Sequence, residues 1–333
     1  MGPVLNSCKS LKLSRDRALA SPIVSIVIPT YHNGGFLAEA IESALAQTYP
    51  CKIIVVCDGP LQDLGFLASR YGDVEFIQQP HRGVSAARNT GWRAARGRYV
   101  VFLDGDDRLK PNAVELNLQR FAEYPECAFI YGSFQYIDAD GQMLKPPTPK
   151  EINEDAYGSL LREDTIVTTA TAMHRRDCIE AVGGFDEELV GCEDYDLYLR
   201  LARRYRIVAS ADCLCEYRRH DGNVSSNIPL MLRSFLEVMR RQEKYCRRSV
   251  PWRRAMKTGI RDFKQGYAAE QLYQARDIVK ASGLRKIPVG AIVEVLRLAP
   301  LSVTKVVCRS ILKKLYASYT VVIQGSTSND KPI

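Results

Sequence analysis

Three carboxylates crowd into four residues at Asp104-Gly105-Asp106-Asp107, directly after the apolar run Tyr99 to Leu103. Like charges at that spacing repel one another, and packing alone gives no reason to gather them at the end of a buried strand. A divalent cation bridging to phosphate would neutralise them; a solvated acidic turn is the competing explanation. A second acidic group, Glu193-Asp194-Tyr195-Asp196, follows later in the chain. There a carboxylate held in a cleft could act as a general base, or the acids could simply favour a helix N-terminus. Other phosphate and nucleophile devices are missing. No Gly-x-Gly-x-x-Gly follows the first strand, and the chain has no Gly-Lys-Ser/Thr loop and no Gly-x-Ser-x-Gly elbow. The first strand runs instead into Pro29-Thr30-Tyr31, which sets aside a dinucleotide-binding dehydrogenase and a P-loop ATPase, and the missing elbow sets aside a serine hydrolase.

These groups need elements to position them. Val24 to Ile28, Ile53 to Val56, Val74 to Ile77 and Tyr99 to Leu103 read as strands. Helical patterns lie between them: Phe36 to Leu45, a stretch with Leu64 and Leu67, and Val84 to Ala95 with a small-residue face of Ala87, Gly91 and Ala94. Apolar strands alternating with helices predict an α/β fold with a mainly parallel sheet covered on both faces, and ligands bind such sheets at the carboxyl ends of the strands. Thr30-Tyr31, Asp58-Gly59 and the acidic turn at 104–107 all fall on that edge. After residue 138 the alternation stops. The stretch 150–190 reads as irregular, Tyr195 to Tyr205 as a short helix, Ile207 to Ala209 and Leu214 to Tyr217 as strands, and everything from Met231 on as helical.

Of 333 residues, 46% are apolar and 25% charged, an ordinary globular mix. The net charge of +8 is unevenly divided. Residues 1–229 carry 25 basic and 31 acidic side chains (net −6), and residues 230–333 carry 21 and 7 (net +14). The ten cysteines include no Cys-x-x-Cys pair and match no zinc-ligand spacing. Residues 1–20 are polar, without a signal-peptide pattern, and no stretch of about 18 uncharged apolar residues occurs. Together these predict a reduced, cytoplasmic setting.

Seven motifs occur in one order: Val24-Ser25-Ile26-Val27-Ile28-Pro29-Thr30-Tyr31, Ile53-Ile54-Val55-Val56-Cys57-Asp58-Gly59, Gly83-Val84-Ser85-Ala86-Ala87-Arg88-Asn89, Phe102-Leu103-Asp104-Gly105-Asp106-Asp107, Gly183-Gly184-Phe185-Asp186-Glu187, Glu193-Asp194-Tyr195-Asp196-Leu197 and Tyr217-Arg218-Arg219-His220. In this the chain resembles the family 2 glycosyltransferases, inverting nucleotide-sugar enzymes of GT-A fold, from about Val24 to Ser226. The resemblance implies that Thr30 and Tyr31 pack the nucleotide base, that Asp58 hydrogen-bonds it, and that Arg88 supports the base and diphosphate side. It implies that Asp104 contacts the ribose, that Asp106 holds Mg²⁺ or Mn²⁺ on the diphosphate with His220 nearby, and that Asp194 is the catalytic base. Asp107 and Glu193 would lie near the donor sugar or the acceptor. Arg88 could alternatively be the structural partner of a buried carboxylate, and His220 a packing residue. Two positions depart from the family pattern: His32 stands where Asn is frequent, and Cys57 where a carboxylate or Asn is frequent.

The implied reaction moves a hexose from a nucleotide sugar, with UDP favoured, to a hydroxyl of a saccharide or lipid-linked acceptor, as in cell-surface polysaccharide or glycolipid synthesis. Two other readings stay open. A phosphohydrolase could use Asp104 and Asp106, but it would want Thr or Val where Arg108 stands. A non-catalytic sugar-nucleotide-binding protein of the same fold would have no reason to keep Asp58, Asp104, Asp106 and Asp194.

The resulting division is a polar leader at 1–22, a GT-A catalytic domain at 23–229 and a basic helical C-terminal region at 230–333. Met231 to Cys246 sets Leu232, Phe235, Leu236 and Met239 on one side and Arg240, Arg241 and Lys244 near the other. Leu301 to Leu315 sets Val303, Val307, Ile311 and Leu315 beside Lys305, Arg309 and Lys313. A basic amphipathic helix of this kind can lie on an anionic membrane surface or pack on the catalytic domain. No nucleic-acid-binding motif accompanies the charge, so nucleic acid is not expected as a partner.

Overall fold

The structure is a computed structural model, and it describes residues 22–282 apart from 32–34, 61–63 and 147–154, with Gly290 and Val293 beyond. His32, most of the leader and the 301–315 stretch lie outside the described residues. In chain order the strands are β1 (Val24–Thr30), β2 (Lys52–Asp58), β3 (Glu75–Gln79), β4 (Tyr99–Phe102), β5 (Arg108–Leu109), β6 (Phe129–Ile137), β7 (Met143–Lys145), β8 (Ala172–Arg175) and β9 (Ile207–Arg218). The helices are α1 (Leu37–Leu45), α2 (Leu64–Arg70), α3 (Val84–Ala94), α4 (Ala113–Glu123), α5 (Ala156–Arg162), α6 (Arg176–Ala181), α7 (Glu193–Ala202), α8 (Ile228–Cys246) and α9 (Val250–Ser282).

One sheet runs β3-β2-β1-β4-β8-β6-β9-β5, with β7 paired to β6. Its first half is the parallel sheet expected from the strand–helix alternation. Its second half is mixed: β8 is antiparallel to both β4 and β6, while β6 and β9 run parallel. Strand periodicity sorts the core into two layers. Val27, Ile54, Val56 and Phe102 pack toward α3, α7 and α8, and Ile26, Ile28, Val55 and Val101 pack toward α1 and α4.

Small residues let α3 sit close to the sheet. A Cβ added at Gly91 would fall 2.2 Å from Val27 Cγ1. Gly91→Ala gains about 1 kcal/mol of helix propensity but should lose about 1–3 kcal/mol to overpacking. The urea midpoint is therefore expected to fall, and an unchanged midpoint would mean that α3 can lift off β1 at no cost.

The segment that reads as irregular in sequence holds α5, β8 and α6. Four residues with a histidine among them, Ala172-Met173-His174-Arg175, fall below any strand signal. Burial pushes the His174 pKa down to about 3, so the ring is a neutral aromatic filler between Phe129 and Tyr198, 5.1 and 5.9 Å away. The two short strand readings at Ile207 to Ala209 and Leu214 to Tyr217 are one strand, β9, whose register to β6 shifts opposite Tyr131 to Phe134.

The change of charge at residue 230 does not coincide with a change of core. Phe235, Val238, Met239 and Cys246 of α8 and Met256 of α9 share a buried cluster with Val27, Phe102 and Leu197. Asn227 caps α8 through Leu230 N–H (3.2 Å), and the expected apolar side is buried at Leu232, Phe235 and Met239, with Leu236 half-buried. Among the described residues no helix is long and apolar enough to cross a membrane.

Candidate active site

The turn after β4 sends its three carboxylates to different places. Asp107 turns inward: it is 1% exposed, its Oδ1 accepts Arg218 N–H (2.9 Å), and its Oδ2 accepts the Thr168 hydroxyl (3.1 Å). Burial, then the charges of Asp106 and Asp104, raise its pKa well above the ordinary carboxylate range. Asp107, expected in the vicinity of the donor sugar or the acceptor, is here an internal brace of the turn, because a buried acid must take its hydrogen bonds from protein. Asp104 and Asp106 face outward, at 31% and 30% side-chain exposure. Arg218, fully buried, fixes this outward pose by donating from Nε to the Asp106 carbonyl (2.9 Å), while its guanidinium also reaches Glu39 on α1 (2.7 Å).

His220 Nε2 lies 2.9 Å from Asp106 Oδ2, and Asn223 Nδ2 reaches the same oxygen at 3.3 Å. Burial and Asp104 raise the Asp106 pKa, and His220 opposes them. One half-open carboxylate beside an imidazole is a donor set suited to Mg²⁺ or Mn²⁺ when phosphate oxygens complete the shell. Among the described residues no group of three or more His, Cys, Asp and Glu could hold an ion by itself.

The second acidic motif opens α7, where Cys192 takes a left-handed conformation (φ 56°) just before Glu193. Glu193 and Asp194 diverge. Glu193 is buried against Arg88, whose NH1 donates to Oε1 at 2.5 Å, while Arg88 NH2 donates to Asp104 Oδ1 at 2.6 Å. This one guanidinium, 4% exposed, ties the acidic turn to the start of α7. Burial disfavours its charge, but Asp104, Glu193 and Asp194 outweigh burial and hold its pKa raised. Asp194 is half-buried and accepts Tyr195 N–H at 2.8 Å. Burial, then Glu193 and Asp164, raise its pKa well above the usual carboxylate value, with Arg88 pulling the other way.

At the β1–β2 end, Thr30 is buried and Tyr31 is exposed, its ring 4.2 Å from that of His81. Asp58 is 3% exposed and binds protein on every side. It accepts from Arg82 N–H (2.8 Å), Gly83 N–H (2.7 Å) and Gln79 Nε2 (2.7 Å), and lies 2.8 Å from His81 Nδ1. Asp58 thus pins the loop that leads into α3. Cys57 beside it is buried, and burial pushes its thiol up to about 11.

Several supporting residues were not singled out from the sequence. Asn89 is buried and holds the Gly183-Gly184-Phe185-Asp186-Glu187 segment, donating to Phe185 O and Glu187 Oε1 and accepting Phe185 N–H, each at 2.9 Å. Gly184 (φ 76°) permits this approach, since its Cβ would lie 2.5 Å from Asn89 Oδ1. Asn89, Arg218 and Gly184 all stand inside the quoted motifs, which was a usable signal. Glu39, Asn223 and Asp164 carried none, because only folding brings them near the acidic groups and Arg218.

The sequence model of Glycosyl transferase family 2 matches residues 25–183. A chondroitin synthase of Escherichia coli is 33% identical over 188 residues, covering 54% of this chain and 26% of that protein. The chain thus spans about a quarter of that relative's length. An uncharacterised glycosyltransferase of Rickettsia prowazekii is 31% identical over 215 residues, covering 62% of this chain and 67% of that one. Among solved structures, the mannosyltransferase PcManGT of Pyrobaculum calidifontis, in complex with GDP-Man and Mn²⁺, superposes with a TM-score of 0.55 over 88% of this chain and 85% of that one, at 17% identity.

Proposed function

The chain belongs to glycosyltransferase family 2, a family of GT-A fold, and from that premise we propose that it is a metal-dependent inverting transferase. In this reading a sugar moves from a nucleoside diphosphate, UDP by the motif resemblance, to a hydroxyl of a saccharide or lipid-linked acceptor. The observation that carries the reading is the bridge from Asp104 through Arg88 to Glu193, with contacts of 2.6 and 2.5 Å. It gathers two acidic motifs, distant in sequence, into one cluster at the carboxyl ends of the strands. Asp194, beside that bridge, accepts the acceptor's proton as its oxygen attacks the anomeric carbon, and displacement from the opposite face inverts the configuration. Asp106 and His220 would hold the metal ion, which supplies charge stabilisation to the departing diphosphate. Tyr31, beside His81, offers an exposed ring to stack on the base. Asp58 supports the base pocket through the 80–83 loop rather than through a spare acceptor atom.

Thermal shift with UDP and GDP, each with and without Mn²⁺, tests the reading. Ligand at about 100-fold above Kd stabilises a protein by about 2.7 kcal/mol, a rise of several degrees in Tm. The rise is expected with UDP and Mn²⁺ together, and Asp106→Asn should abolish the metal-dependent part. An equal rise without metal, or in Asp106→Asn, would refute the metal assignment, and release of inorganic phosphate rather than nucleoside diphosphate would favour the phosphohydrolase.

A further inference from the structure

A pocket of about 600 Å³ opens on the side of the site away from the nucleotide residues. Strand order sets its position. Thr30 and Asp58 end β1 and β2, Asp104 and Asp106 follow β4, and the pocket is walled by Tyr217 and Arg219, at the end of β9 on the far side. The β9 wall runs directly into His220. A second wall includes Asp164 and Met231, and the Met231 carbonyl accepts from Cys192 Sγ (3.9 Å), two residues before Asp194. The third wall is α9, with Phe263, Gly266 and Tyr267. The rings of Phe235, Phe263 and Tyr267 form a near-parallel stack, with centroids 3.5 and 4.3 Å apart. This wall lies outside the 25–183 segment matched by the family model.

We propose that the pocket binds the terminal units of an uncharged saccharide acceptor, with α9 as its specificity-determining wall. This rests on the transferase reading with Asp194 as base. Tyr267, the last ring of the stack, can bury the C–H face of a sugar ring, and carboxylates accept hydrogen bonds from its hydroxyls. The lining holds two arginines, Arg162 and Arg219, against four acids, Glu163, Asp164, Asp262 and Glu270. That net negative charge opposes a polyanionic chain and costs a neutral one nothing. An acceptor seated here lies beside the start of α7, the helix that carries Asp194, and off the donor side.

Gly266 supplies the test. It is helical, and a Cβ there would meet no atom within 4 Å, so Gly266→Leu keeps the helix and fills the pocket. Saturation-transfer NMR on the full chain with UDP and Mn²⁺ would use triacetylchitotriose and cellotriose as uncharged probes and a hyaluronan tetrasaccharide as the charged one. The parent is expected to bind at least one uncharged probe and to prefer it to the tetrasaccharide. Gly266→Leu should weaken that binding at least tenfold, and Tyr267→Ala should weaken it too. The UDP–Mn²⁺ thermal shift and the slow release of UDP from UDP-GlcNAc or UDP-Glc into water should stay unchanged in both variants. Equal binding by Gly266→Leu, preference for the tetrasaccharide, or no binding of either uncharged probe overturns the proposal while leaving the donor reading intact. A parent that binds the saccharides but no nucleoside diphosphate overturns the transferase reading, and the acceptor role with it.

Discussion

Asp194→Asn is expected to lower sugar transfer by about 10²–10⁴-fold, the usual contribution of a positioned general base, and to leave nucleotide binding unchanged. The substitution is isosteric, so the bond from Tyr195 N–H to the side-chain oxygen survives and α7 keeps its start. What disappears is the ability to hold a proton. The parent carboxyl has a pKa raised by burial and by the charges of Glu193 and Asp164. A base acts only when deprotonated, so the acid limb of kcat/KM should lie above the ordinary carboxylate range, with the rate falling as pH drops through it. Asp164→Asn removes one of the charges that raise it and should move the limb to lower pH. The same shift carries a stability consequence: a raised folded-state pKa means the folded chain prefers the neutral form, a preference lost as pH rises through that pKa. Asp194→Asn should therefore melt no lower than the parent at neutral pH. Transfer near the parental rate, or a limb that ignores Asp164→Asn, would show that the proton goes elsewhere.

Arg88→Met should be the most damaging substitution for stability, costing about 3–5 kcal/mol, because it strands Glu193 in a buried position and frees Asp104 from its partner. Urea unfolding reads the loss as a drop in midpoint at constant slope. A buried ion pair replaced on both sides by apolar groups is frequently close to neutral, so Arg88→Met combined with Glu193→Met should recover much of the stability. It should not recover transfer, since the link that orients the acidic turn against α7 is still gone. If the single variant loses less than about 1 kcal/mol, the guanidinium is not the tie its two contacts describe.

Much of the catalytic half was legible from residue order. The strands β1, β2 and β4 are buried on both faces, so they read as continuous apolar runs, and the polar residues that end them mark the ligand-binding edge. The helices α1 and α3 announce themselves by apolar or small residues at helical spacing. The second half of the sheet was hidden for the opposite reason. β8 is four residues long and centred on a neutral buried histidine, and β9 bends its register to pass β6. Neither feature leaves a period in the sequence, because each depends on partners far away along the chain.

The carboxylates divide in the same way. Residue order alone marked Asp104, Asp106, Asp107, Glu193 and Asp194 as acids gathered where packing would not put them. It also separated a −6 body from a +14 tail. Which acid faces outward and which braces the fold was decided only by tertiary structure. Asp107 turns inward because Arg218 N–H and Thr168 are there to receive it, and Glu193 because Arg88 is; Asp106 stays outward beside His220. Likewise the charge division set the tail apart, yet α8 and α9 bury apolar residues in the catalytic core. A side chain's type and spacing state what chemistry it can do. Whether it does that chemistry depends on burial and on which partners come within about 3 Å, and only the folded chain sets those.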